Sequence, residues 1–428
     1  MSTLRIKSGV LKGSIVLPSS KSQTMRAIIF GSLGQGKSEI YNYLKSPDVL
    51  AMVEAMRSLG VAIHMGEHKL EIEGVNGNLQ PCDKVIDCGN SGQVLRFVGS
   101  LAALLPTYTV LTGDTSICYQ RPVQPLLSAL NQLQAFAVST RLNDCAPIIV
   151  KGCMQPGRAT LSGQDSQPVS GLLIATSFLK GTTHLVVTDP GEKPWIDLTL
   201  SWLHRLGAHV SHHQYTDYKI VGPLRYQGFT MHVPGDFSSA AFPLVAAFVT
   251  RSSLRLENVE MNEVQGDKKI IDLLRQMGAR IQEDRQNLAL NIEGDSSLQG
   301  RQVDVNDLID AIPILAVLGC FAQCPLHLTN AAIARKKESD RLHVITTELS
   351  KMGAKIEEEE AGLKIYPASL VGARVHSHHD HRIAMALAVA ALGAKGETHI
   401  EDIRCIAKSY PTFVRDFQHL GAQIEELL

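Results

Sequence analysis

Six segments of the 428-residue chain repeat one local design: "MRSLGVAI", "LNQLQAFAV", "LHRLGAHV", "LRQMGARI", "LSKMGAKI" and "FQHLGAQI". In each, an amphipathic helix ends, the chain turns, and an alternating strand begins. The turn positions are Gly60, Gln134, Gly207, Gly278, Gly353 and Gly421, spaced 68 to 75 residues apart, so six units of about 71 residues fill the chain. A second series keeps the same beat. Polar openings at Ser20, Asn90, Ser166, Asp236, Asp310 and Asp380 each precede an apolar helical run, such as Val94, Leu95, Val98, Leu101, Ala102 and Leu105. Alternating stretches such as "HKLEIEG", "NLALNIEG" and "GLKIYP" read as strands. The unit is therefore βαβαββ, in an α/β chain of the α+β type.

One unit alone would bury its helices poorly, whereas three and three make two domains of ordinary size. Pro18 and the "HVPGDF" stretch around Pro234 and Gly235 each fall just before a unit's first helix and mark the crossings. The expected domains are residues 18–235, and residues 1–17 together with 236–428, joined by a two-strand hinge.

The stretch "GSLGQGKS", Gly31 to Ser38, matches the phosphate-loop pattern letter for letter. A phosphate loop needs a strand before the glycines and a helix after them, because the helix N–H groups bind the phosphates. Here the order is reversed. Met25, Ile28, Ile29 and Leu33 recur at helical spacing upstream, Ser20 and Gln23 form a capping-box pattern, and Gly34 to Lys37 read as a helix exit and turn. The better anion site lies at that helix's start, where Lys21, Ser22 and Arg26 share its first turns.

With 41 basic and 42 acidic residues, the net charge of −1 argues against a general nucleic-acid or membrane-surface binder. The start "MSTLRIKSGVLKG" lacks the apolar core of a signal peptide, and no apolar run is long enough to span a bilayer, so the chain reads as cytoplasmic. Eight cysteines without C-x-x-C pairs indicate neither a disulfide framework nor zinc. The run "HSHHDHR", His376 to Arg382, suggests a metal only weakly, because adjacent histidines in a loop point different ways.

The helix openings carry more cationic and reactive residues than capping needs: Asn90, Gly92 and Arg96; Ser166 and Gln167; Asp380, His381 and Arg382. Arg121, Arg335, Lys337, Arg341 and Lys408 supply further cations. If like ends pack together, several helix N-termini face one cleft and favour anionic substrates.

The motifs "SKSQTMR", "GNSGQVLR", "RPVQPLL", "DSQPVSGLLIA", "DLIDAIP", "KKESDRL", "DHRIAMA" and "AKSYP" resemble, in this order and across the whole chain, the 5-enolpyruvylshikimate-3-phosphate synthases. The resemblance implies two pseudo-threefold domains of three βαβαββ units that close over the substrates. It also implies transfer of the enolpyruvyl group of phosphoenolpyruvate to the 5-hydroxyl of shikimate 3-phosphate, with release of phosphate. By matching position, Lys21 is a catalytic residue that touches both substrates, and Ser22, Arg26, Ser166 and Gln167 hold shikimate 3-phosphate together with Asp310 and Lys337. Phosphoenolpyruvate falls to Lys21, Asn90, Arg121, Gln167, Arg341, Arg382 and Lys408, with Gly92 leaving it room. Glu338 is the candidate acid towards the methylene carbon and Asp310 the candidate base, assisted by Lys337 and His381. The resemblance implies no metal or organic cofactor, and the chain is expected to act as a monomer on these small anions, without nucleic-acid or membrane partners.

The chain departs from the family at several positions. Many members have Thr where Gln93 stands, Arg at or beside Cys118, Ser where Asp165 and Glu192 stand, Tyr where Trp195 stands and often Asn where Ile333 stands. Asp165 and Glu192 bring carboxylates towards a phosphate; they point away, pair with a cation, or weaken binding of shikimate 3-phosphate. Two other readings compete. A non-catalytic anion-binding paralogue is motivated by these departures. The sister transferase acting on UDP-N-acetylglucosamine, which carries a reactive cysteine before an arginine, is imitated by Cys118 and Arg121.

Overall fold

A computed structural model describes residues 2–427. All six repeated turns adopt the left-handed conformation, with φ of 87° at Gly60, 66° at Gln134, 82° at Gly207, 105° at Gly278, 91° at Gly353 and 93° at Gly421. Five are glycines, which reach positive φ without a Cβ clash; Gln134 does so at a cost on the order of 1 kcal/mol. Each turn follows a helix, for example Lys193–Arg205 before Gly207, and leads into a strand, here His209–His213.

These strands build six four-stranded sheets. In one, Arg158–Ser162 pairs parallel with Gly181–Thr188, which pairs antiparallel with Asp217–Gly222, and that strand carries His209–His213 on its outer edge. Helices Ser166–Thr176 and Lys193–Arg205 connect its strands, completing a βαβαββ unit. Three sheets borrow a strand from a distant part of the chain. Thr3–Lys7 lies between Glu397–Glu401 and Gln423–Leu427, Gly13–Val16 pairs with Ser253–Glu257, and Thr230–His232 pairs with Gln35–Tyr41.

The chain divides into two compact units, Ser19–Val233 and Met1–Pro18 with Pro234–Leu428. Pro18, Pro234 and Gly235, assigned to the first domain by the sequence reading, belong to the discontinuous one. The Pro18 carbonyl accepts the Asp236 N–H at 2.9 Å, and the Gly235 carbonyl accepts Gln265 Nε2 at 3.0 Å.

Each unit is centred on the first helices of its three repeats. Helices Gly92–Ala102 and Ser166–Thr176 pack together in one, and Phe237–Val249, Ile312–Phe321 and His381–Gly393 in the other. They are apolar on nearly every side, and helix Phe237–Val249 is buried along its whole length. Gly171 permits the close approach in the first unit, since a Cβ there would sit 2.5 Å from Ser100 Oγ and 2.9 Å from the Arg96 carbonyl.

Caps start these helices one residue away from some of the expected positions. Ser20, Asp236 and Asp380 cap as read, but Ser91 and Asp165 take the role given to Asn90 and Ser166. Asp310 does not cap: it lies in the tight turn Asn306–Ala311, and Ala311 precedes the helix. The phosphate-loop lookalike is also settled. Helix Lys21–Leu33 ends at Gly34, strand Gln35–Tyr41 begins at once, and Lys37 stands in that strand 2.7 Å from Glu71 Oε1. The turn is shorter than the expected Gly34 to Lys37.

Candidate active site

In Ser19–Val233, three helix starts meet. Ser20 Oγ accepts the Gln23 N–H, Lys21 Nζ lies 3.5 Å from the buried Asp48 carboxylate, and Gln93 Nε2 donates to Ser22 Oγ at 3.4 Å. Arg26 sits beneath this start. Its Nε and Nη2 donate to Thr199 Oγ1 at 3.0 and 2.8 Å, Nη2 also donates to the Trp195 carbonyl at 3.1 Å, and Nη1 donates to the Ser22 carbonyl at 3.2 Å. Burial lowers its pKa to about 9, and its bonds make it a brace for the helix start.

Gly92 is the focus of this cluster. A Cβ there would lie 2.8 Å from Arg96 Nη1, 2.9 Å from Gln167 Oε1 and 3.0 Å from Arg121 Nη1, so the missing side chain is what lets three polar groups converge. Arg121 Nη1 donates to the Asn90 carbonyl at 3.1 Å, and Asn90 Nδ2 donates to Asp114 Oδ2 at 2.6 Å. The two unexpected acids turn inward. Asp165 accepts the Gln167 N–H at 3.0 Å and pairs with Arg96 Nε at 3.1 Å, while Glu192 Oε2 accepts both the N–H and the hydroxyl of Ser166 at 2.9 Å. Cys118 is buried with its sulfur towards the Gly113 carbonyl, 3.4 Å away.

In the other unit the organising group is Arg341, 1% exposed. Its Nη1 donates to Asp310 Oδ1 at 2.6 Å, its Nη2 to Glu338 Oε2 at 2.8 Å, and its Nε to Asp380 Oδ2 at 2.8 Å. Lys408 Nζ reaches Glu338 Oε1 at 2.6 Å, and Arg382 Nη2 lies 3.4 Å from Asp310 Oδ2. Burial pushes the Asp310 carboxyl up, but Arg382, Arg341 and Lys337 together outweigh it and hold Asp310 well below the usual carboxylate range. Conversely, Asp380, Glu338 and Asp310 overcome the desolvation of Arg341 and raise its pKa well above the ordinary value. His381, also 1% exposed, places Nδ1 3.7 Å from Asp380 Oδ1.

The neighbouring histidines diverge: His378 Nε2 binds Glu348 Oε1 at 2.7 Å, and His379 pairs with Asp402. No group of three or more metal-ligating side chains is present among the described residues. Ile333 packs against the apolar core.

Sequence reasoning missed Asp267. It is 1% exposed, and apart from Ser238 beside it no donor serves its carboxylate oxygens among the described residues. Its only sequence signal is "QGD", whose Gln265 accepts the Phe237 N–H at 3.2 Å and so ties the segment to a central helix start. Burial, then the Asp310 charge, pushes its carboxyl up to about 7 against the opposing pull of Arg382; Ser238 and Asp236 also face it. A carboxyl raised in the folded state stabilises the fold below its ordinary 3.8, and that contribution is lost as pH rises through about 7. Asp267→Asn is therefore expected to be more stable than the wild type at pH 8 by about 1 to 4 kcal/mol, with the gap closing towards pH 4. Urea unfolding at several pH values checks this; a gap independent of pH would show that Asp267 does not titrate in this window.

Two bodies of three repeats, each gathering cations at buried helix starts and one of them setting carboxylates among its cations, define an enzyme for small, multiply charged anions. Sequence and structure comparisons agree on which one. The model of the EPSP synthase (3-phosphoshikimate 1-carboxyvinyltransferase) family matches residues 6–417. The 3-phosphoshikimate 1-carboxyvinyltransferase of Acetivibrio thermocellus is 41% identical over 421 residues, covering 98% of this chain and 99% of that one. That of Chlamydia pneumoniae is 41% identical over 428 residues, covering 100% and 95%. A solved EPSP synthase from Acinetobacter baumannii aligns over 100% of both chains with a TM-score of 0.84 and 29% identity. The chain belongs to the EPSP synthase family. No helix among the described residues is long and apolar enough to cross a membrane.

Proposed function

We propose that the chain transfers the enolpyruvyl group of phosphoenolpyruvate to the 5-hydroxyl of shikimate 3-phosphate by addition and elimination, as a cytoplasmic monomer. The observation that carries the mechanism is the clustering of Asp310 and Glu338 on the single guanidinium of Arg341, with Lys408 on Glu338. One cation set thus holds a proton acceptor and a proton donor.

In the addition step Glu338 gives a proton to the methylene carbon, the 5-hydroxyl oxygen bonds to the adjacent carbon, and Asp310 takes the hydroxyl proton. In the elimination step Glu338, now a carboxylate, takes a proton back from the methyl group, the C–O bond to phosphate breaks as the double bond is restored, and the departing phosphate takes the proton held by Asp310. Asp310 is ionised beside Arg382, Arg341 and Lys337, and it regains basicity as the substrate anions engage those cations. The anionic groups of phosphoenolpyruvate, engaging Arg341, Arg382 and Lys408, take the cations with which Glu338 pairs in the free chain. Lys337 and His381 assist from beside Asp310 and Asp380. On the acceptor side, Lys21 and Ser22 present cation and hydroxyl, Arg26 braces them, and Ser166 and Gln167 start the next helix. Arg121, Gln167, Asn90 and Lys21 serve phosphoenolpyruvate around Gly92. A cysteine nucleophile is not supported, since the Cys118 sulfur turns into its own loop.

Phosphate release from phosphoenolpyruvate, followed with and without shikimate 3-phosphate, tests the reading. Release is expected only with the acceptor present; equal release in both arms, or none, overturns it.

A further inference from the structure

The start of helix Ser166–Thr176 already holds an anion supplied by the chain itself. Glu192 is 2% exposed, and its Oε2 takes both the backbone N–H and the hydroxyl of Ser166 at 2.9 Å. These are the donors that such a helix start offers to a phosphate. The loop delivers the carboxylate by holding Glu192 at φ 49° and ψ 40°, a left-handed conformation unfavourable for a residue with a Cβ. Asp165 adds to the effect, because its pairing with Arg96 at 3.1 Å neutralises an adjacent guanidinium.

Other groups on these helix starts ask for donors. Gln93 is 8% exposed, and its Oε1 has no hydrogen-bond partner among the described residues; nor has the buried Oε1 of Gln167. Acceptor oxygens without donors suit the hydroxyls of a ring, while a helix start whose donors are taken by a carboxylate suits a phosphate poorly.

We propose that Glu192 is a specificity-determining residue of the acceptor side: its carboxylate occupies the phosphate seat, so a phosphorylated acceptor binds only by displacing it. The phosphate therefore adds less affinity here than in a chain with serine at this position. The proposal rests on the assignment of shikimate 3-phosphate as acceptor, and its test is separable from that assignment.

Calorimetric binding of shikimate 3-phosphate and of unphosphorylated shikimate to the full chain, Glu192→Ser and Glu192→Gln provides the test. Both variants are expected to tighten shikimate 3-phosphate by at least about tenfold, while shikimate changes by less than about threefold. Glu192→Gln keeps the size of the side chain, so the comparison does not depend on one variant's packing. Unchanged or weaker binding of shikimate 3-phosphate in both variants overturns the proposal. So does equal tightening for shikimate, which would report a loosened loop, or absence of shikimate 3-phosphate binding in all three proteins. Acceptor-dependent phosphate release, measured alongside, judges the reaction separately: its absence with the binding shift intact rejects the reaction and leaves the role of Glu192 standing.

Discussion

Glu338→Gln is expected to slow the chemical step by about 10² to 10⁴ while leaving phosphoenolpyruvate binding unchanged or tighter. The asymmetry follows from geometry. Glu338 bridges Arg341 Nη2 at 2.8 Å and Lys408 Nζ at 2.6 Å, two cations of the proposed phosphoenolpyruvate site. A neutral glutamine keeps the shape but competes less for them, so KM should not rise. It cannot deliver a proton to carbon, so turnover should fall. The decisive measurement is exchange of the methylene hydrogens of phosphoenolpyruvate with solvent deuterium during turnover. Wild type should show it, because protonation creates a transient methyl group, and Glu338→Gln should lose it. Exchange persisting at the wild-type rate would move the proton donor elsewhere, with Lys21 the next candidate.

The repeat was the most legible feature because it is written in backbone chemistry. A left-handed turn after an amphipathic helix demands glycine, and five of the six turns have it; Gln134 could be aligned only by its spacing. The strands the chain exchanges were less visible. Nothing local in Thr3–Lys7 shows that it lies between Glu397–Glu401 and Gln423–Leu427, because pairing between segments some 400 residues apart leaves no local pattern. The crossings were misplaced by one or two residues for the same reason: the bond from Asp236 N–H to the Pro18 carbonyl is long-range.

At the site, residue types were readable but their partners were not. Charge at helix starts pointed to anions, yet the sequence does not reveal that Arg26 braces Thr199 and Trp195, or that Asp310 faces two guanidiniums instead of capping a helix. Asp267 escaped because a buried carboxyl looks the same in a string as a turn residue. Of the two unexpected acids, Asp165 pairs with Arg96 and Glu192 accepts from Ser166, partners that the sequence does not reveal.

Arg341→Ala is expected to have a large effect on both folding and activity, because three carboxylates lose their common cation. Asp380 is fully buried, and Asp310 and Glu338 lie 2.6 and 2.8 Å from the guanidinium. Removing one member of such a buried cluster costs about 3 to 5 kcal/mol, since the remaining charges stay desolvated and repel one another. The sign of the pH dependence is distinctive. In the wild type, Asp310 is depressed below its ordinary 3.8, so its contribution is present above that value and is lost only as pH falls into the acid range; stability should change little on its account between pH 5 and 8. In the variant Asp310 keeps Arg382 and Lys337 but loses Arg341, so its carboxyl moves up from that depressed range, and the destabilisation should shrink as pH falls through the acid range. Arg341→Lys should recover part of the stability but not the catalytic efficiency, because one ammonium cannot serve three carboxylates and a substrate anion in the geometry of a guanidinium. For Arg341→Ala, kcat/KM should drop by about 10² to 10³. Unfolding curves from pH 7 down into the acid range decide the matter: a destabilisation of equal size throughout would mean that Arg341 acts through packing and not as the counter-charge of Asp310.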